Sequence, residues 1–183
     1  FSDWKQFEAL LYRLSKVELA SKKDASLISP ATYIDETTRA NKNVIKWGAW
    51  AAVDVDDHEF KGNLQDELRN RFGDYYYVCY STASSTELHP KFRLIFPLAA
   101  SVGSTEIRKF WWALNSELGA IGDRQTKDLS RMYYIPATYR GANNFIFTND
   151  GSPINPSLLI VKHPMPEKKK TIFDGMPDSM RNA

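Results

Sequence analysis

Apolar residues recur along this chain with two different periods. Trp4, Phe7, Leu11 and Leu14 return at three- and four-residue steps, which predicts an amphipathic helix capped by Ser2 or Asp3. Residues 20–45 are polar and mixed, broken at Pro30, and read as a loop bearing Lys22, Lys23, Arg39, Lys42 and Lys46, or as a basic flap over a phosphate or template. "NVIKWGAWAAVDVD" is then rich in β-branched and aromatic residues and predicts a central strand. "NLQDELRNRFG" reads as a helix with Leu64, Leu68 and Phe72 on one face and Gly73 as its stop. "YYYVCYST" and "KFRLIFPL" predict two more strands. "STEIRKFWWALNSELG" predicts a second core helix, capped by Ser104 or Thr105, with Ile107, Phe110, Trp111, Leu114 and Leu118 inward. "RMYYIPAT" and "NFIFTND" read as strands around a "YRGANN" turn, and "SLLIVKH" as a last edge strand.

This order mixes adjacent strands with crossover helices. It predicts an α+β domain, with helices packed on a mainly antiparallel or mixed sheet. From Pro164 onward the pattern fades into Pro and Lys, so 164–183 reads as a tail or linker to a further domain.

Composition narrows the classes. With 183 residues, 43% hydrophobic and 13% aromatic, the chain can build a real core. The single Cys79 excludes an intramolecular disulfide and a Cys-rich zinc site. The 24 basic and 22 acidic residues leave a net charge of +2, so nucleic-acid contact must come from a local patch. No apolar run reaches the roughly 18–20 residues that span a bilayer. The N-terminus lacks the pattern of a signal peptide. Both predict a chain that neither spans a membrane nor is secreted.

Chemistry enters at the end of the central strand. Asp54 and Asp56 are two apart, so they share a face, while Val53 and Val55 point the other way. Carboxylates at that spacing repel unless a cation lies between them. Oxygen-only donors favour Mg²⁺ or Mn²⁺, and a two-ion site suits phosphoryl transfer. The bland alternative is a solvated strand-end turn. His58 has no metal partner at a useful spacing and reads as an exposed strand-end residue. In "STASSTELHPKFRLIFPL", a hydroxyl-rich loop with Ser85 leads to Lys91 and Arg93 on one strand face, an arrangement suited to a triphosphate. In "IGDRQTKDLSRMYYIPATYRG", Asp123 precedes Asp128 by five residues and Arg131 by eight. Asp123 could complete a three-carboxylate site, and Arg131 could reach the same phosphates.

Taken in order, these three segments, across about residues 45–147, resemble the catalytic domain of the archaeo-eukaryotic primase superfamily, in particular primase-polymerases of plasmids and phages. Asp54 and Asp56 match its Asp-x-Asp/Glu motif, and Asp123 with Arg131 its third motif. Where the family carries Ser-x-His, this chain has Lys91 and Arg93 and no His, and His89 lies out of register.

The resemblance implies an RRM-like sheet at 46–163 preceded by an N-terminal α/β module at 1–45. It implies DNA primase/polymerase activity in the replication of a mobile element, in the cytoplasm of a plasmid's or virus's host. Two Mg²⁺ or Mn²⁺ ions would sit on Asp54, Asp56 and Asp123. Lys91, Arg93, Arg131 and Ser85 would bind a dNTP or rNTP over a single-stranded DNA template. A downstream helicase domain is a further implied partner. The competing readings are a replication-initiator or other metal-dependent nuclease, and a non-catalytic RRM-like nucleic-acid binder. The former lacks its His-hydrophobe-His pair here. The latter conflicts with acids that would repel RNA.

Overall fold

The structure is a computed structural model, and it describes residues 3–123 and 128–167. In chain order the helices are α1 (Trp4–Ser15), α2 (Leu64–Phe72), α3 (Ile107–Glu117) and α4 (Pro156–Lys162). The strands are β1 (Glu18–Leu19), β2 (Leu27–Ile28), β3 (Ala31–Tyr33), β4 (Val44–Trp47), β5 (Trp50–Val55), β6 (Tyr77–Ser81), β7 (Phe92–Pro97), β8 (Val102–Gly103), β9 (Tyr133–Tyr134), β10 (Thr138–Tyr139) and β11 (Ile146–Asn149).

Four strands form the central antiparallel sheet in the order β11-β6-β7-β5. Alternation sorts their side chains into two cores. Val53, Val55, Tyr77, Cys79, Phe92, Leu94 and Phe96 face a layer made by α2, α3 and α4, which contribute Leu68, Phe72, Ile107, Phe110, Leu114 and Leu159. Trp50, Ala52, Val78, Tyr80 and Ile95 face the other way, against Phe7 and Leu11 of α1 and against Tyr133. Phe7 stacks on Trp50 with ring centroids 5.1 Å apart. Each such buried Leu or Phe contributes roughly 1.5–3 kcal/mol.

The caps follow partly different rules from those expected. Asp3 caps α1, its carboxylate accepting from the Lys5 N–H at 2.9 Å. Asn63 caps α2. Neither Ser104 nor Thr105 caps α3; a turn carries the chain past them, and Glu106 holds the N-cap position without a side-chain bond.

The larger correction is "SLLIVKH". It forms α4, not an edge strand. Pro156 occupies the first turn, where its missing N–H is harmless, and the Asn155 side chain accepts from the Leu158 N–H at 3.2 Å. Of the expected tail, Pro164–Glu167 have no regular structure, and 168–183 lie outside the described residues.

The polar segment before the central strand is woven into the rest of the chain. The strand β1 pairs in parallel with β10, and β2 pairs antiparallel with β9. The strand β3 pairs with β4, which pairs with β8. Tyr134 of β9 and Tyr139 of β10, with Ala20 and Ser21 just after β1, wall the site, whereas Val44, Trp47 and Val102 of the β3-β4-β8 sheet pack into the core on the helix side.

Candidate active site

The register of the central sheet sets Asp54 opposite Arg93, and Arg93 opposite Tyr80. The three side chains therefore share one sheet face. Asp54 and Arg93 are each only 6% exposed. A buried charge is tolerated only when paired and hydrogen-bonded. Arg93 meets that condition: its Nε donates to Asp54 Oδ1, and its Nη1 donates to the Tyr80 hydroxyl at 3.2 Å and the Tyr134 carbonyl at 2.6 Å. The Tyr133 ring lies 4.9 Å from the guanidinium carbon. Burial works against the charge on Arg93, but Tyr80 and Asp54 outweigh it, and its pKa is raised. Burial likewise pushes the Tyr80 and Tyr133 phenols up.

Asp56, two residues on, is exposed. Its carbonyl accepts from His89 Nε2 at 2.9 Å. His58 is not the exposed strand-end residue expected; it is half-buried. Its Nδ1 accepts from the Phe60 N–H at 3.2 Å, so Nε2 carries the proton and donates to the Pro90 carbonyl at 2.7 Å. The two imidazoles stack 5.2 Å apart at 8°. The pair ties the β6–β7 loop to the end of the acidic strand.

Asp123 reaches the same strand through its backbone. Its N–H donates to the Asp54 carbonyl at 2.8 Å, and the preceding Gly122 N–H donates to Asn115 Oδ1 of α3 at 2.9 Å. Arg131 comes from the next segment, with Nη2 at 3.9 Å from Asp54 Oδ2. Its segment is anchored by Trp47 Nε1, which donates to the Leu129 carbonyl at 2.8 Å. Arg39 Nε donates to the Ser130 carbonyl at 2.9 Å, and Asn41 Oδ1 accepts from the Ser130 N–H at 3.0 Å. The Nε of Arg131 is buried without a hydrogen-bond partner among the described residues.

A cleft of about 470 Å³ opens over this floor. Asp54, Asp56, Tyr80, Arg93, Arg131 and Tyr134 line it, with Ser21, Lys22, Ser84 and Arg140 at its rim. Four basic side chains (Lys22, Arg93, Arg131, Arg140) thus face two acidic ones, an excess that suits a polyanion.

A family model described as the VapE N-terminal domain matches residues 13–167. The chain belongs to this family. Among solved structures, the VapE-type domain is similar to the primase-polymerase (PrimPol) AEP domain of cyanophage S-2L, with a TM-score of 0.55 and 12% identity over 76% of this chain and 70% of that one. The likeness establishes the α+β primase-polymerase fold. No curated protein matches the chain.

Within this VapE-type domain, the cleft collects Asp54, Asp56, Arg93 and Arg131 from the residues singled out in the sequence. Asp123 joins them by its backbone and is not among the lining residues. Lys91 and Ser85 do not line it either. Ser85 is buried; its Oγ accepts from the Lys91 N–H at 3.1 Å and its carbonyl from the Asn143 N–H at 2.9 Å, so it braces the loop. Among the described residues no group of three or more His, Cys, Asp or Glu side chains is spaced to hold a metal ion. What remains is a two-carboxylate donor set, Asp54 Oδ2 and Asp56, whose oxygen-only chemistry fits a hard divalent cation.

Residues not singled out are Tyr80, Tyr134 and Arg140. Lys22 was visible only as one of several loop lysines. A capping box between Ser21 and Asp24 fixes the short 3₁₀ turn Lys22–Asp24 that presents it. Arg140 precedes Gly141, whose φ of +80° marks the bend that brings it round.

Proposed function

We propose that the cleft is a primase-polymerase-type nucleotidyl-transfer site, acting on nucleoside triphosphates over a single-stranded DNA template in the replication of a mobile element. The observation that carries this is the joining of strand-end acids Asp54 and Asp56 with Arg131, Lys22 and Arg140 in one cleft, on a primase-polymerase fold.

Each group has a task. Arg131, whose Nε has no hydrogen-bond partner among the described residues and whose contact to Asp54 is loose, is the arginine best placed to turn toward a phosphate. Lys22 and Arg140 at the rim would meet either the outer phosphates or the template backbone. The exposed Ser84 hydroxyl lies beside them. Tyr80 donates its hydroxyl proton to the Tyr134 carbonyl at 3.0 Å, so the floor is fixed before ligand arrives. Asp54 and Asp56 would hold Mg²⁺ or Mn²⁺, with Asp123 as the neighbouring acid. Such a cation neutralises phosphate oxygens and activates an attacking hydroxyl.

One observation favours a second reading. Both oxygens of Asp54 already face arginines, as they would in a non-catalytic nucleic-acid binder. Labelled-nucleotide incorporation on primed and unprimed single-stranded DNA separates the two, comparing wild type with Asp56→Asn. Template-dependent product that disappears in the variant supports the enzyme. Tight DNA binding with no product from either protein supports the binder.

A further inference from the structure

Asp54 stands at the cleft floor with one carboxylate oxygen already taken. Arg93 Nε holds Oδ1, and Arg93 Nη1 is spent on the Tyr80 hydroxyl and the Tyr134 carbonyl. Strands β5, β6, β7 and β9 all contribute to this one guanidinium. It is no mobile phosphate hook. Turning it toward a ligand would strip a buried carboxylate and two acceptors at once. Only Oδ2 is left to the cleft, against Arg131 at 3.9 Å. Arg131 is part-exposed, so that contact can yield to a ligand.

A two-ion centre places its cations about 3.5–4 Å apart, with carboxylate oxygens reaching both. Here a fixed cationic side chain occupies one side of the shared carboxylate. A second divalent ion beside it would meet like charge from a guanidinium only 6% exposed, where repulsion is less screened than in bulk water. The scarcity of donors agrees, since no third ligating side chain joins Asp54 and Asp56 among the described residues.

Resting on the nucleotidyl-transfer reading, we infer that Arg93 is a resident counter-ion: a positioning residue that fixes Asp54 and takes the place of one metal ion, leaving the centre a single divalent cation. It supplies one positive charge that cannot dissociate and keeps Asp54 Oδ2 aimed into the cleft.

The test counts Mn²⁺ by electron paramagnetic resonance, per bound non-hydrolysable nucleoside triphosphate. Wild type should bind one ion. Arg93→Met, similar in length and uncharged, should admit a second, and Arg93→Lys should remain at one. Two ions on the wild type, or one ion on a folded Arg93→Met, overturn the inference and leave nucleotidyl transfer standing. If Arg93→Met does not fold, the wild-type count still decides. No bound nucleotide and no bound ion on the wild type overturns both readings. A second readout guards against a phosphate role. Arg93→Lys should lower kcat at least tenfold with nucleotide KM within about twofold; a raised KM at unchanged kcat would make Arg93 a phosphate ligand instead.

Discussion

Asp123 donates its backbone N–H to the carbonyl of Asp54 at 2.8 Å, stitching two acids far apart in the chain to one strand end. The stitch depends on Gly122. A Cβ there would come within 2.7 Å of both Val53 Cγ1 and Asn115 Oδ1. Gly122→Ala should therefore cost about 1–3 kcal/mol, the usual range for overpacking, and should lower nucleotide incorporation by displacing Asp123. Denaturant midpoints and incorporation rates check both halves. A variant unchanged in each would show that the stitch does not matter.

The two strand acids should respond differently to removal of charge. Asp54 is buried against Arg93, and Asp56 is exposed. Asp54→Asn should abolish incorporation and also destabilise the fold, since breaking a buried ion pair costs roughly 3–5 kcal/mol. Asp56→Asn should abolish incorporation and leave the melting temperature nearly unchanged. Thermal melts beside incorporation assays separate the pair.

The basic rim predicts a salt signature. Lys22→Ala and Arg140→Ala should each weaken single-stranded DNA binding uniformly across sequences. Each should reduce the slope of log affinity against log salt by about 0.7 if it neutralises one phosphate. Fluorescence anisotropy over a salt series measures this. A slope unchanged in both variants would move the template path elsewhere.

Trp47 is remote from the cleft yet should affect it. Its buried Nε1–H holds the Leu129 carbonyl, next to the segment bearing Arg131. Trp47→Phe keeps the ring packing and deletes that bond, for a loss of about 1 kcal/mol plus any cost of the orphaned carbonyl. Nucleotide KM should rise more than kcat falls, because Arg131 loses its footing. Steady-state kinetics would expose an effect confined to kcat as contrary to this.

On the far side of the sheet, Glu117 of α3 predicts an acid-sensitive joint. Burial alone would raise its pKa, but bonds from Lys162 at 2.8 Å, from Tyr75 at 2.6 Å and from His163 pull it down to about 2 from the ordinary 4.5. A lowered folded-state pKa means stability that is present above pH 4.5 and lost as pH falls through about 2. Melting temperature should fall across that window in wild type and more weakly in Glu117→Gln. Equal slopes would deny Glu117 its part in holding α4 to α3.

The floor of the site was legible because strand alternation is a strong local signal. Val53 and Val55 against Asp54, and Phe92, Leu94 and Phe96 against Arg93, assign faces without knowledge of the partner strand. The pairing itself was not legible. Nothing in "KFRLIFPL" says that Arg93 will fall opposite Asp54 and spend itself there, because register is a property of two strands. The same limit hid Tyr80, and it hid the His58–His89 stack, which depends on a loop returning to the strand end. With α4, the β-branched run in "SLLIVKH" outweighed the Asn155–Pro156 start, although that dipeptide carried both the cap and the first-turn proline of a helix. Ser85 lies in a loop, where backbone bonding decides which hydroxyls remain free, and Lys91, expected on a strand face beside Arg93, falls just before β7 begins at Phe92.

The pairing of β1 with β10 and of β2 with β9 has a kinetic consequence. Asp54, Tyr80 and Arg93 are brought together once β7 has joined β5 and β6, but the wall of the cleft joins residues near 18–28 to residues near 133–139. Contacts of such long sequence separation close late, because the chain between them must first be ordered. The acids would thus be set in place well before anything encloses them. On a ribosome, the emerging chain would carry its strand-end carboxylates as an open ledge from the emergence of β7 until the Tyr133–Tyr139 stretch came out to close it into a cleft.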